Sequence, residues 1–378
     1  MSAALDLTAV SDLPLSPPDE ARIVHDTAAR YLAAQSPTGN ARTPMAAPEL
    51  RRQWRHLAQE TGLPGLLIPE AFGGTDLPFG VLVGAMEEMG ARVYGGPYLS
   101  TAVAAASALL LCDDEGLQGE ELPAIATGER IVGLPAGDLF LSERAGGSLP
   151  HVRRGDRLSG TWTPVLDGAA ADRLLLPARE DDGIGLFLVD CDQPGVHCDP
   201  LALFDPSRGL ARLVLDDVPV RPVGPRAEAG PILRQAADRI VTALAAEQLG
   251  GVRACLDMAV HHARERHQFG RAIGSFQAVK HRCADLLLDL EASRSAVAYA
   301  AACADEVHDE LPVAASMAKS QVGESYGRAA AANLQIHGGL GFTWEHDCHL
   351  HLKRAKAGAA LFGSPLFHRR RLLRLLSL

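Results

Sequence analysis

Apolar residues recur three and four positions apart through most of the first 128 residues, shift to short alternating runs at Glu129, and return to helical spacing after Pro231. Helices are expected over residues 19 to 60, entered after Pro17-Pro18, with a second amphipathic run at PELRRQWRHLAQETG that stops on Gly62. LPGLLIPEAFGGTDLPF reads as a loop, broken by Gly73-Gly74 and three prolines. Helical spacing resumes at Val81 and runs on into the alanine-rich TAVAAASALLL. IVGLPAG, DRLSGTW, DRLLLPA, IGLFLVD and LARLVLDDVPV then have the length and punctuation of strands in a small antiparallel β domain. Beyond Pro231, one helix of about 30 residues would span on the order of 45 Å. A second carries Phe276, Val279, Cys283, Leu286, Leu290 and Val297 on one face, and a third covers roughly Val313 to Gln335. The pattern predicts an α+β, mainly α chain divided as 1–128 helical, 129–228 β and 229–378 helical.

A length of 378 residues accommodates two or three such units, and a 47% hydrophobic, 22% charged composition supports packed cores. The formal charge of −10 argues against a broad nucleic-acid surface. Seven scattered cysteines without a C-x-x-C pair read as reduced thiols. No run of 18 apolar residues suggests a membrane span, and Asp6 and Asp12 stand where a secretory signal would be positive, so a soluble cytoplasmic protein is expected. Ten of the 14 histidines follow residue 255, and the chain ends in the basic HRRRLLRLLSL, which draws attention to its C-terminal part.

Two motifs there carry candidate chemistry. In Arg266-His267-Gln268-Phe269-Gly270, followed by Ile273, Phe276 and Gln277, a long helix is expected to stop at Gly270, leaving a cation and an amide beside the next helix N-terminus, where anions are favoured. A plain glycine C-cap with a basic last turn would leave the same trace. In Gln335-Ile336-His337-Gly338-Gly339-Leu340-Gly341-Phe342, the glycines let backbone approach a ligand closely, although a tight turn at a helix end needs some of them too. His346, Cys348, His349 and His351 are metal-ligand residue types, but their spacing matches no standard zinc pattern and no metal is expected.

Together and in this order, with W-x-x-L-A-x-E-x-G-L and P-E-x-x-G-G between Trp54 and Gly74, these motifs resemble the acyl-CoA dehydrogenase family over nearly the whole chain. The resemblance implies an N-terminal helical domain, a central β-barrel domain and a C-terminal four-helix bundle, assembled as dimers or tetramers. It implies FAD, whose adenosine and pyrophosphate end is held by a neighbouring subunit's motifs. Arg266, Gln268, Phe269, Gly270, Ile273, Phe276, Gln277, Gln335, Gly338 and Gly339 match those positions. The implied reaction removes a proton α to a thioester while hydride leaves the β carbon for the flavin, with an acyl-CoA substrate and an electron-transferring flavoprotein as acceptor.

The family takes its base, a glutamate, from one of two positions, and this chain has neither. The R-D-A-K to I-Y-E-G-T stretch corresponds to Lys353-Arg354-Ala355-Lys356 and Leu361-Phe362-Gly363-Ser364, which puts Phe362 at the glutamate; the alternative position holds Ile240. The nearest carboxylate is Glu247. Seven residues turn a helix by roughly 700°, so it lies within about 20° of the same face. Glu247 is therefore the candidate base, set against a carboxylate paired with an arginine. The segments that resemblance puts against the flavin also depart, to Pro164-Val165-Leu166 and to Leu134-Pro135-Ala136-Gly137-Asp138. Three expectations stand: a homo-oligomeric dehydrogenase, a subunit of a hetero-oligomer with a homologous chain, or a non-redox acyl-CoA-binding or scaffold protein that keeps the fold and holds a partner's FAD. The basic tail fits a subunit interface or, as a short amphipathic helix, a lipid surface.

Overall fold

The computed structural model describes residues 19–35, 41–137, 149–150, 152–153, 156–306 and 308–377; Asp6, Asp12, Pro17, Pro18 and Asp138 lie outside them. In chain order the helices are α1 (Asp19–Gln35), α2 (Ala47–Thr61), α3 (Phe79–Ala91), α4 (Ala106–Leu110) and α5 (Glu115–Ala126). The strands follow: β1 (Val132–Pro135), β2 (Val152–Arg153), β3 (Arg157–Leu166), β4 (Arg173–Arg179), β5 (Ile184–Asp190), β6 (Val196–Pro200), β7 (Leu210–Pro219) and β8 (Arg221–Pro222). The last part holds α6 (Gly230–Glu265), the short strands β9 (His267–Gln268) and β10 (Arg271–Ala272), and the helices α7 (Gln277–Glu306), α8 (Leu311–His337), α9 (Cys348–Ala360) and α10 (Pro365–Leu375). The alanine-rich stretch enters α4 through a π-helical segment, Tyr98–Ala105.

The chain forms two compact units. One takes in Thr43–Pro78 and Gly95–Ile240. Its sheet runs β6-β7-β3-β1-β4-β5-β8, with β2 added to β3. The path does not close on itself among the described residues, so the sheet is a half-barrel. Each of the five expected strand segments forms a strand, and the pairing is antiparallel except for β1 beside β4, where Val132 and Gly133 lie parallel to Arg173 and Leu174. The N-terminal motif has a structural purpose here. Trp54 is buried and donates Nε1–H to the Arg130 carbonyl at 3.0 Å, while Tyr98 packs edge-on against it and donates its hydroxyl to the Leu63 carbonyl at 2.9 Å. Gly62 ends α2, its N–H bonding the Ala58 carbonyl.

The other unit comprises α1, α3 and the chain from Val241 onward. Among its described residues, the only strands are the two of the β9–β10 hairpin. α8 packs on α7, α9 and α10, and α3 packs on α1 and α7. Glycines set how closely α6 approaches α3: a Cβ on Gly90 would stand 1.7 Å from the Glu247 carbonyl oxygen, and one on Gly250 would stand 1.8 Å from that of Glu87. Asp305, at the end of α7, receives the free N–H groups of Phe79 and Gly80 that open α3.

Candidate functional site

The Arg266 motif folds differently from a helix stop. α6 ends at Glu265, and Gln268 pairs with Arg271 and His267 with Ala272 across a two-residue turn. Phe269 and Gly270 occupy that turn with φ of 53° and 75°. Positive φ at both central residues is the backbone of a type I′ hairpin, which only glycine adopts freely. Gly270 is thus the second turn residue and not a helix cap, because the strands on either side find each other in register. Phe269 bears the strain of the first position and projects its ring outward, 91% exposed. The hairpin is braced from below. Arg271 lies over the Phe276 ring at 4.1 Å, Phe276 meets Phe269 edge-on at 6.2 Å, and the Ile273 N–H bonds the Arg266 carbonyl at 2.8 Å. Arg266 and Gln268 are exposed; Gln277 opens α7 with its amide 2.9 Å from His281 Nε2.

The glycine motif lies at the end of α8. Gly338, with φ 60° and ψ −135°, terminates the helix in a conformation closed to side-chain-bearing residues. No heavy atom comes within 4 Å of where a Cβ on Gly338 or Gly339 would sit, and Gln335 and Gly339 are exposed. One residue the motif reading passed over joins the two ends: His262, on the last turn of α6, stacks on His337 with ring centroids 4.1 Å apart. Burial pushes the pKa of both imidazoles down, so both stand neutral at neutral pH. The HHARER sequence just before the motif was its only trace.

The two positions that the resemblance gives to the base are both buried. Phe362 is fully buried in a left-handed backbone, φ 52°, and its carbonyl accepts Nε2–H of buried His368 at 2.9 Å. Ile240 is buried too. Glu247 is 3% exposed, and Arg354 Nε donates to its Oε1 at 2.9 Å while another guanidinium N–H reaches the Tyr94 carbonyl at 2.5 Å. Arg354 stands where the resembled R-D-A-K motif has aspartate, so a reversed charge on α9 faces the carboxylate of α6. In the sheet, the two altered segments lie side by side: Leu134 pairs with Leu166 and Pro135 with Val165, and the Ala136 N–H bonds the Pro164 carbonyl at 3.0 Å. Their side chains from Leu134, Ala136, Val165 and Leu166 are buried hydrocarbon.

Of the His/Cys cluster, His349 stacks on exposed Trp344, and His351 is buried with Nδ1 2.9 Å from the Tyr326 hydroxyl, its pKa pushed by burial to about 4. The basic tail forms α10, capped by Ser364, whose hydroxyl accepts the Phe367 N–H at 3.2 Å, with His368 and Arg371 turned inward. Among the described residues, no helix is long and apolar enough to cross a membrane.

Comparison with known proteins finds relatives over nearly the whole chain. Residues 18–129 match the family model for the N-terminal domain of acyl-CoA dehydrogenases and residues 237–376 that for the C-terminal domain. Acyl-CoA dehydrogenase IpdE2 of Mycobacterium tuberculosis is 31% identical over 354 residues, 93% of this chain and 95% of that protein. Acyl-CoA dehydrogenase FadE34 of the same organism is 39% identical over 317 residues, 82% of this chain but 40% of that longer protein. Among solved structures, the ChsE4-ChsE5 complex from M. tuberculosis superposes with a TM-score of 0.84 at 28% identity, covering 97% of this chain and 99% of that one.

Proposed function

The chain belongs to the acyl-CoA dehydrogenase family, and from that premise we propose that it is the subunit without a catalytic base in a hetero-oligomeric, flavin-dependent acyl-CoA dehydrogenase. The observation that carries this reading is Phe362. A buried aromatic ring, its backbone tied to His368, occupies the position from which the family's glutamate takes the substrate's α proton. Glu247 is engaged by Arg354, and leaving that pair would expose a buried, uncompensated cation, a loss of about 3–5 kcal/mol for a pair of this kind.

The residues that remain suit FAD on one side only. The exposed hairpin with Arg266 and Gln268, and the open space over Gly338 and Gly339, fit the adenosine and pyrophosphate end of a flavin seated in another chain. Ile273, Phe276 and Gln277 brace that edge. The hydrocarbon of Leu134–Ala136 and Pro164–Leu166 gives this chain's own sheet nothing polar to offer an isoalloxazine ring there. The chemistry FAD supplies when bound is acceptance of hydride from the β carbon of an acyl-CoA thioester. This chain's part is to orient the dinucleotide of a homologous subunit, which brings the base; an electron-transferring flavoprotein is the acceptor. The two-protein ChsE4-ChsE5 complex supports a paired assembly.

Coexpression with a homologous chain tests the reading. The assembled complex is expected to be yellow, and Glu247→Gln in this chain should change its turnover less than tenfold, whereas loss of a general base costs about 10²–10⁴-fold. Turnover abolished by Glu247→Gln in a complex that still assembles and retains flavin would make Glu247 the base and this reading wrong.

A further inference from the structure

His337 and His346 are brought together with Cys348 although they come from different motifs. The three side chains, from the end of α8, the turn after it and the first residue of α9, each present a ligand-type atom, and these atoms lie within 4.8 Å of one another. Both imidazoles are held in forms that present a lone pair. His337 Nδ1 lies 2.9 Å from the Asn333 carbonyl oxygen, which can only accept, so Nδ1 carries the proton and Nε2 is free to donate electrons. A ring N–H anchored to a backbone carbonyl is the outer-shell arrangement that orients metal-ligating histidines. His346 has the opposite tautomer: its Nδ1 accepts the Cys348 N–H at 3.2 Å, so its lone pair points toward the cysteine. The Cys348 side chain is fully buried, and the two imidazole rings are 4.5 Å apart.

We propose that His337 Nε2, His346 Nδ1 and Cys348 Sγ form a binding site for a borderline-soft divalent cation such as zinc, with solvent as fourth ligand. Two neutral nitrogens and one thiolate, without a carboxylate, select against magnesium and calcium and suit zinc or cobalt. Metal bonds of about 2.0–2.3 Å place tetrahedral ligand atoms roughly 3.5 Å apart, so the site closes by about an ångström when filled. His346, half-buried in the turn, is the residue able to move, and on binding its Nδ1 exchanges the Cys348 N–H for the cation. Binding exchanges one proton: the thiol loses H⁺ to solvent as sulfur bonds the cation. The sequence spacing hid the site because His349 and His351 turn elsewhere and the third ligand lies in the glycine motif.

The experiment uses the full chain, chelator-treated, at neutral pH. Cobalt(II) is expected to give a thiolate-to-cobalt charge-transfer band and the visible bands of a tetrahedral site, saturating at one ion per chain, and zinc to displace it. Cys348→Ser should abolish the charge-transfer band and His346→Ala weaken binding at least about 100-fold, both remaining folded by circular dichroism, while His349→Ala leaves the spectrum unchanged. Absence of a charge-transfer band in the unsubstituted chain overturns the proposal without reliance on any variant. So does a band that survives Cys348→Ser, which would mark binding at another thiol, or one that disappears in folded His349→Ala, which would mark binding through that histidine.

Discussion

Arg354 and Glu247 are 107 residues apart and form a buried ion pair in the helical unit. Arg354→Met is expected to destabilise the chain by about 3–5 kcal/mol, since it strands a carboxylate in the core, while the double variant Glu247→Leu/Arg354→Met should recover most of that loss in a denaturant titration. Two buried histidines give the unit an acid sensitivity of defined sign. Burial pushes His351 down to about 4 and His368 to about 3, while in the unfolded chain both titrate near the ordinary histidine value of about 6.5. Between those values the unfolded state binds more protons, so stability is full above pH 6.5 and falls as pH drops toward 4. His368→Gln, which keeps an N–H for the Phe362 carbonyl but cannot take up a proton, should flatten the decline in melting temperature between pH 6.5 and 4 relative to the unsubstituted protein. The placing of Phe362 and Ile240 at the positions that the resemblance gives to the base was legible in the sequence, because the order of motifs sets the alignment. That Glu247 has a partner was not, since only the packing of α6 against α9 brings Arg354 to it.

The β9–β10 hairpin shows where local signals run out. A glycine after a basic residue at the end of a long helix fits a C-cap and a type I′ turn equally well, and only the pairing of His267 with Ala272 decides between them. Phe269 at its first turn position is a poor choice for folding, because asparagine tolerates that backbone far better. Phe269→Asn is therefore expected to raise thermal stability while weakening flavin retention in the assembled complex, measured by gel filtration with absorbance at the flavin band. Unchanged retention would mean that the exposed ring has no role there. The close α3–α6 crossing was equally hidden, since Gly90 and Gly250 look like weak points in helical runs. Gly90→Ala should cost several kcal/mol, because backbone stands where the methyl would go and neither helix can yield cheaply.

For the molecule as a whole, the alternation of helix, sheet and helix was readable from periodicity alone, and five strands (β1, β3, β4, β5 and β7) form where the sequence put them, while β6 was missed. The parallel pairing of β1 with β4 and the stacking of His262 on His337 were not readable, because both join segments that are distant in sequence. The proposed dinucleotide edge and the buried Phe362 and Ile240 underlie the central proposal, that the chain is one half of a shared active site. Its most direct test is the flavin spectrum of the purified chain, alone and with its homologous partner, before and after anaerobic addition of an acyl-CoA. The account predicts a colourless chain by itself and a yellow complex whose flavin bleaches with substrate. A chain that is yellow by itself, bleaches with acyl-CoA and loses this response on Glu247→Gln would contradict it.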